Sequence, residues 1–116
     1  MAKLYYLGTC DTCKRIMNEL DAKAHFELQD IKTDPITETQ LDEMHKWSGS
    51  YEALFSRRAR KFRSMGLHEQ DLEESDYKRL ILEEYTFLKR PVMVFDDAIF
   101  IGNSKKVVEA VKSKLA

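Results

Sequence analysis

The chain has 116 residues, the length of one ordinary domain and too short for two independent cores. It carries 43% hydrophobic and 34% charged residues, with 19 basic against 20 acidic side chains and a net charge of −1, so no general field draws it to nucleic acid or to anionic lipid, and any anion site must be local. Its apolar runs are only a few residues long, which leaves no candidate for a membrane span.

The opening MAKLYYLGTC lacks the charged-then-apolar pattern of a secretory signal, which predicts a cytoplasmic protein. In that compartment the chain's two cysteines are not expected to form a structural disulfide framework. His25, His45 and His68 are scattered, and no second cysteine pair exists to close a tetrahedral site, so no metal is predicted.

In chain order, Lys3 to Leu7 reads as a short buried strand that stops at Gly8. After the turn Gly8-Thr9-Cys10-Asp11, the residues Cys13, Ile16, Met17, Leu20 and Ala24 recur at three and four positions, the spacing of one core-facing helix stripe. Phe26, Leu28 and Ile31 predict a second strand, broken at Thr33-Asp34-Pro35. Thr37-Glu38-Thr39-Gln40 fits a capping box opening a helix through Leu41, Met44 and His45, which ends at Gly49. From Tyr51 to Met65 a basic, weakly amphipathic stretch carries Leu54, Phe55 and Phe62. Beyond Gly66 a helical pattern holds Tyr77, Leu80, Ile81, Tyr85 and Leu88. Pro91 introduces Val92-Met93-Val94-Phe95, the turn Asp96-Asp97 leads to Ile99-Phe100-Ile101, and Gly102-Asn103-Ser104 precedes a helix marked by Val107, Val108, Val111 and Leu115.

The order is βαβ, then helices, then ββα. This is a thioredoxin-like α/β order: a single domain over 1–116, with a mixed four-stranded sheet and residues 37–88 as an all-helical insertion. The first two strands should be parallel by the usual crossover, and the closing hairpin antiparallel.

Cys10-Asp11-Thr12-Cys13 falls between the first strand and the first helix, the context in which a two-residue cysteine spacing becomes a redox hypothesis. A thiol at a helix N-terminus meets the positive end of the dipole and unpaired backbone N–H groups, both of which favour the thiolate. Cys10 is therefore the expected nucleophile. Cys13 lies on the Ile16, Met17 and Leu20 stripe and should point inward, as a resolving thiol does; a small buried hydrophobe would occupy the same place.

Arg90-Pro91 stands at the entrance of the strongest apolar run, where a missing N–H costs least. In thioredoxin-like folds the corresponding proline is cis and faces the reactive cysteine, so a cis Arg90–Pro91 bond beside Cys10 is expected. Arg57, Arg58, Arg60, Lys61 and Arg63 concentrate positive charge, suited to oxyanions or simply to a solvated helix face. No aromatic stacking platform accompanies them, so direct nucleic-acid binding is not expected.

LGTCDTCKR, ALFSRR, KFRSMGL, FLKRPVMVFDD and FIGNSKKVVEAV together resemble the arsenate reductase family in its glutaredoxin-coupled branch, with its regulatory Spx-type relatives. The resemblance covers nearly the whole chain. It implies Cys10 as the catalytic cysteine and Arg90 as an oxyanion-binding arginine; Cys13 as resolving partner is what its spacing permits. Arg58, Pro91 and Thr12 are the implied substrate-binding residues, with Ser56 where arsenate reductases place an arginine. Gly102-Asn103 stands where those enzymes carry a third arginine, as in the regulatory and uncharacterised branches.

Two functions follow from the resemblance. As a thiol oxidoreductase, the chain would act on a small oxyanion or a disulfide, with no bound cofactor and with glutathione or glutaredoxin as reductant. As an Spx-type regulator, the Cys10–Cys13 pair would switch a surface that binds RNA polymerase.

Overall fold

A computed structural model of the chain describes residues 2–116. The backbone divides into two compact units: residues 2–35 with 90–116, and residues 36–89.

The first unit is built on four strands, β1 (Ala2–Tyr6), β2 (Phe26–Asp30), β3 (Val92–Val94) and β4 (Ile99–Ile101), in the order β2-β1-β3-β4. β1 pairs in parallel with β2, placing Leu4 beside Leu28, and antiparallel with β3, placing Leu4 beside Met93. β3 and β4 form the expected antiparallel hairpin. The sheet is therefore mixed and four-stranded.

Two long helices, α1 (Asp11–Leu20) and α6 (Lys105–Leu115), supply the rest of this core. Leu4 and Met93 pack with Ile16, Leu20, Val108 and Val111. α6 starts at Ser104, whose hydroxyl accepts the Val107 N–H at 3.2 Å, satisfying a donor that the helix itself cannot. Lys112 and Glu19 join α6 to α1 with a 2.8 Å ion pair.

α1 is shorter than its apolar spacing suggests. Asp21 adopts a left-handed conformation at φ 50°, its N–H bonds to Asn18 O at 3.2 Å, and a one-turn helix α2 (Ala22–His25) follows. The break rotates the chain, so that Ala22 rather than Ala24 is buried. Ile31 is buried just past β2, anchored by its N–H to Tyr6 O at 2.9 Å.

The unit 36–89 is helical. α3 (Glu38–Ser48) begins with the full capping box: Gln40 N–H donates to Thr37 Oγ1 at 3.1 Å and Thr37 N–H donates to Gln40 Oε1 at 3.0 Å. Gly49 ends it at φ 78°, a left-handed position where glycine carries no Cβ penalty.

The basic stretch that follows is not one amphipathic element but a 3₁₀ turn at Glu52–Leu54, a loop and the short α4 (Arg60–Ser64). α5 (Glu74–Glu83) stops before Tyr85, and a 3₁₀ turn at Tyr85–Phe87 replaces the predicted helical continuation. The reason is non-local. Ser56 N–H donates to Phe87 O at 2.7 Å and Lys89 N–H to Leu54 O at 2.8 Å, so the segment after α5 is drawn into an extended bridge with 54–56, where Phe55 stacks on Phe87 at 5.0 Å and meets Tyr77 at 4.9 Å.

Candidate active site

The antiparallel register of Tyr5 with Val92 sets residues 90 and 91 alongside the C-terminal end of β1. From that same end the chain turns tightly, with Cys10 N–H donating to Leu7 O at 3.0 Å, and enters α1 as Lys14 N–H bonds Cys10 O at 3.2 Å. Sheet register and turn thus bring the cysteine pair and the Arg90–Pro91 step to one place. The Arg90–Pro91 bond is cis. Gly102, just after β4 and at φ 95°, donates its N–H to Pro91 O at 2.9 Å, holding the strand entrance from the hairpin side.

Gly8 has a specific reason to be glycine. A Cβ there would meet the Asp30 carboxylate at the end of β2, so a side chain at residue 8 would require that carboxylate to move aside.

Cys10 is the N-cap of α1, with extended backbone at φ −96° and ψ 113°, and is half-buried, whereas Cys13 has no exposed surface. Both are free thiols. Burial pushes the Cys10 thiol up, but the backbone N–H and thiol of Cys13, the Thr12 backbone N–H and the Arg90 charge together hold it below its ordinary value of 9.0. Its sulfur makes no capping hydrogen bond of strict geometry; the N–H groups act through their field at the start of the helix. Cys13 moves the opposite way. Burial, with the hydrogen bond to Cys10 and the Cys10 charge, raises it to about 11 against the smaller opposing effects of the Leu7 N–H and Arg90.

Two sulfurs three residues apart are thus separated in acidity by depth, Cys10 at the rim and Cys13 in the core. Of the other sequence-predicted residues, Thr12 is half-buried in the first turn of α1, Arg90 half-buried and Pro91 buried. Arg58 is an exposed loop residue of the unit 36–89, two residues before the start of α4. Its neighbours Arg57 and Lys61 are engaged, Arg57 with Glu52 at 2.6 Å and Lys61 with Glu84 at 2.7 Å. The described residues contain no group of three or more histidine, cysteine or acidic side chains able to hold a metal. Sequence reasoning missed Leu7, whose carbonyl closes the turn, and the clamp from Gly102. Leu7 carries no local signal beyond its strand; Gly102 could have been found as a glycine directly after a hairpin strand.

A cysteine pair opening the first helix, over a mixed sheet entered through a cis-proline, defines the class: a thioredoxin-like α/β protein. The chain belongs to the ArsC family, whose sequence pattern it matches over residues 5–111. Among curated proteins it is similar to the global transcriptional regulator Spx 2 of Lactococcus lactis subsp. lactis, 22% identical over 112 residues, 95% of this chain and 85% of that protein. Among solved structures it is similar to the YFFB protein, with TM-score 0.84 and 25% identity over the whole of both chains. Arsenate reductase from Vibrio cholerae superposes with TM-score 0.77 at 13% identity, covering 93% of this chain and 95% of that one, a likeness of fold. Among the described residues no helix is long and apolar enough to cross a membrane.

Proposed function

We propose that this chain is a thiol oxidoreductase with Cys10 as nucleophile and Cys13 or an external thiol as resolver. The observation that carries this reading is the opposed acidity of the pair: Cys10 lowered and half-exposed, Cys13 raised to about 11 and sealed. Burial alone raises an inert thiol; it is the lowered, half-exposed Cys10 at the helix start for which a packing role gives no cause.

Cys10 thiolate attacks one sulfur of a disulfide, forming a Cys10 mixed disulfide and expelling the other half as a thiolate, which takes a proton from water. Cys13 then loses its proton and attacks the Cys10 sulfur. The second thiolate leaves and takes a proton from water; the two electrons that reduced the substrate came from the pair, which is left oxidised as a Cys10–Cys13 disulfide. Glutathione or glutaredoxin restores the dithiol. Arg90, whose charge already favours the Cys10 thiolate, offsets developing negative charge. In the same scheme Thr12 and Pro91 bind substrate, and a small oxyanion is the other acceptor class.

Turnover of small disulfides with glutathione tests the reading: activity lost in Cys10→Ser supports it, and a screen of disulfide and arsenate acceptors with no turnover refutes it.

The likeness to Spx 2 over 95% of the chain, together with the second cysteine of the pair, favours a second reading, a redox-sensing regulator. In that role Cys10–Cys13 oxidation would alter a surface that binds RNA polymerase without turnover. Redox-dependent co-purification of the polymerase α-subunit would support it, and no complex in either redox state would remove it.

A further inference from the structure

A groove of about 390 Å³ lies beside the cysteine turn, lined by Tyr6, Gly8, Lys14, Met17 and Asn18, a volume within the range of small-ligand sites. Three of its residues come from α1, and their spacing from the nucleophile is informative. Cys10, Lys14, Met17 and Asn18 stand at i, i+4, i+7 and i+8, one ridge of the helix. Cys10 does not line the groove, but as the N-cap of α1 it precedes Lys14 by one turn, and Gly8, two residues before it, lines the groove with Tyr6.

Its lining holds one full charge. Lys14 is exposed and makes no salt bridge with any described residue, whereas Lys112 at the far end of the same helix pair is engaged with Glu19. Asn18 and Tyr6 add an amide and a phenol, and Met17 a polarisable apolar floor. Two carboxylates stand nearby without lining it: Asp11, exposed in the first turn of α1, and Asp30, which lies against Gly8 and accepts the Lys32 N–H at 3.0 Å.

Resting on the oxidoreductase reading, we infer that this groove is the acceptor subsite and that Lys14 selects disulfides carrying a carboxylate. The substrate sulfur meets Cys10 while the attached chain lies along α1, its carboxylate against the Lys14 ammonium. The chemical step is the thiolate–disulfide exchange above. Lys14 takes no part in it and acts as a specificity residue.

The test uses the full-length reduced protein and three aromatic disulfides of one scaffold, with carboxylate, neutral amide or aminomethyl substituents, and reads the rate of Cys10 modification. Because each variant is judged by its ratio between disulfides, a general change in Cys10 reactivity cancels. Lys14→Gln should lower the carboxylate-to-neutral ratio roughly two- to five-fold, the range of an exposed charge pair. Lys14→Glu should lower it further and favour the aminomethyl disulfide, and raised salt should erase the wild-type preference. Arg15→Gln removes an equal charge from the neighbouring position outside the groove and should leave the ratio unchanged. An unchanged ratio in Lys14→Gln, or an equal fall in Arg15→Gln, overturns the subsite while leaving the oxidoreductase reading in place. If none of the three disulfides reacts, the subsite fails; the oxidoreductase reading falls with it only when the wider screen of disulfide and arsenate acceptors also shows no turnover.

Discussion

Attack by Cys13 on a Cys10 mixed disulfide should be slow at neutral pH and accelerate steeply with alkalinity. The free pair places Cys13 at about 11 against an ordinary 9.0, with burial as the largest cause. Two units correspond to about a hundredfold smaller ionised fraction, or about 2.7 kcal/mol. Once Cys10 is tied up in a mixed disulfide its charge is gone, which removes one contribution to the rise, but burial persists. The resolving rate should therefore climb about tenfold per unit between about pH 7 and 9, while the first attack, made by Cys10, levels off above its own lowered pKa. Stopped-flow mixing with a chromogenic aromatic disulfide separates the two events, since each releases one coloured thiolate. Cys13→Ser should keep the first release and lose the second. A second release that is flat across this pH range, or that survives in Cys13→Ser, would refute the assignment of Cys13 as a buried, protonated resolver.

Replacing Arg90 by Gln removes a positive charge felt by both sulfurs, so both thiols should titrate higher by thiolate absorbance; Cys10 should still ionise below an ordinary thiol, because Arg90 is the weakest of the influences lowering it. Glu74 accepts hydrogen bonds from Tyr51 N–H at 2.8 Å, Glu52 N–H at 3.0 Å and Ser50 Oγ at 3.2 Å, and although burial opposes it, these hold its carboxyl below the usual 4.5. Its contribution is thus present above pH 4.5 and lost as pH falls through the lowered value, so urea melts of Glu74→Gln should show a loss of about 1 kcal/mol at neutral pH that vanishes in acid. Leu4 is fully buried between Leu28 and Met93, and Leu4→Ala should cost about 2–5 kcal/mol in the same measurement; a loss below 1 kcal/mol would contradict its place in the core.

The strands and outer helices were legible because their signals are local: apolar spacing along α1 and α6, the Thr37 box and the Gly49 stop. The reading failed where distant partners decide. Tyr85 and Leu88 continue the spacing of α5, yet the backbone of 87–89 bonds to 54–56, and Glu84 turns its carboxylate to the Thr86 N–H at 3.2 Å instead of prolonging the helix. The break at Asp21 was equally hidden, because a left-handed aspartate leaves no mark in an apolar stripe. At the site, the cysteine pair and Arg90-Pro91 were readable as motifs, but the acidity difference depends on how deeply each sulfur sits, and the Gly102 clamp on a hairpin register that periodicity does not specify.

The strand order β2-β1-β3-β4 also bears on synthesis. β1 leaves the ribosome well before its antiparallel neighbour, residues 92–94; at 5–20 residues per second that partner arrives roughly 5–20 s later. Until then one edge of β1 stays unpaired, open to adventitious strand pairing. Residues 36–89 are contiguous and need no such wait. A nascent chain should therefore acquire its helical middle before the cysteine turn gains the strand entrance that completes it, which keeps the nucleophile's surroundings unfinished until residues 90–94 have emerged.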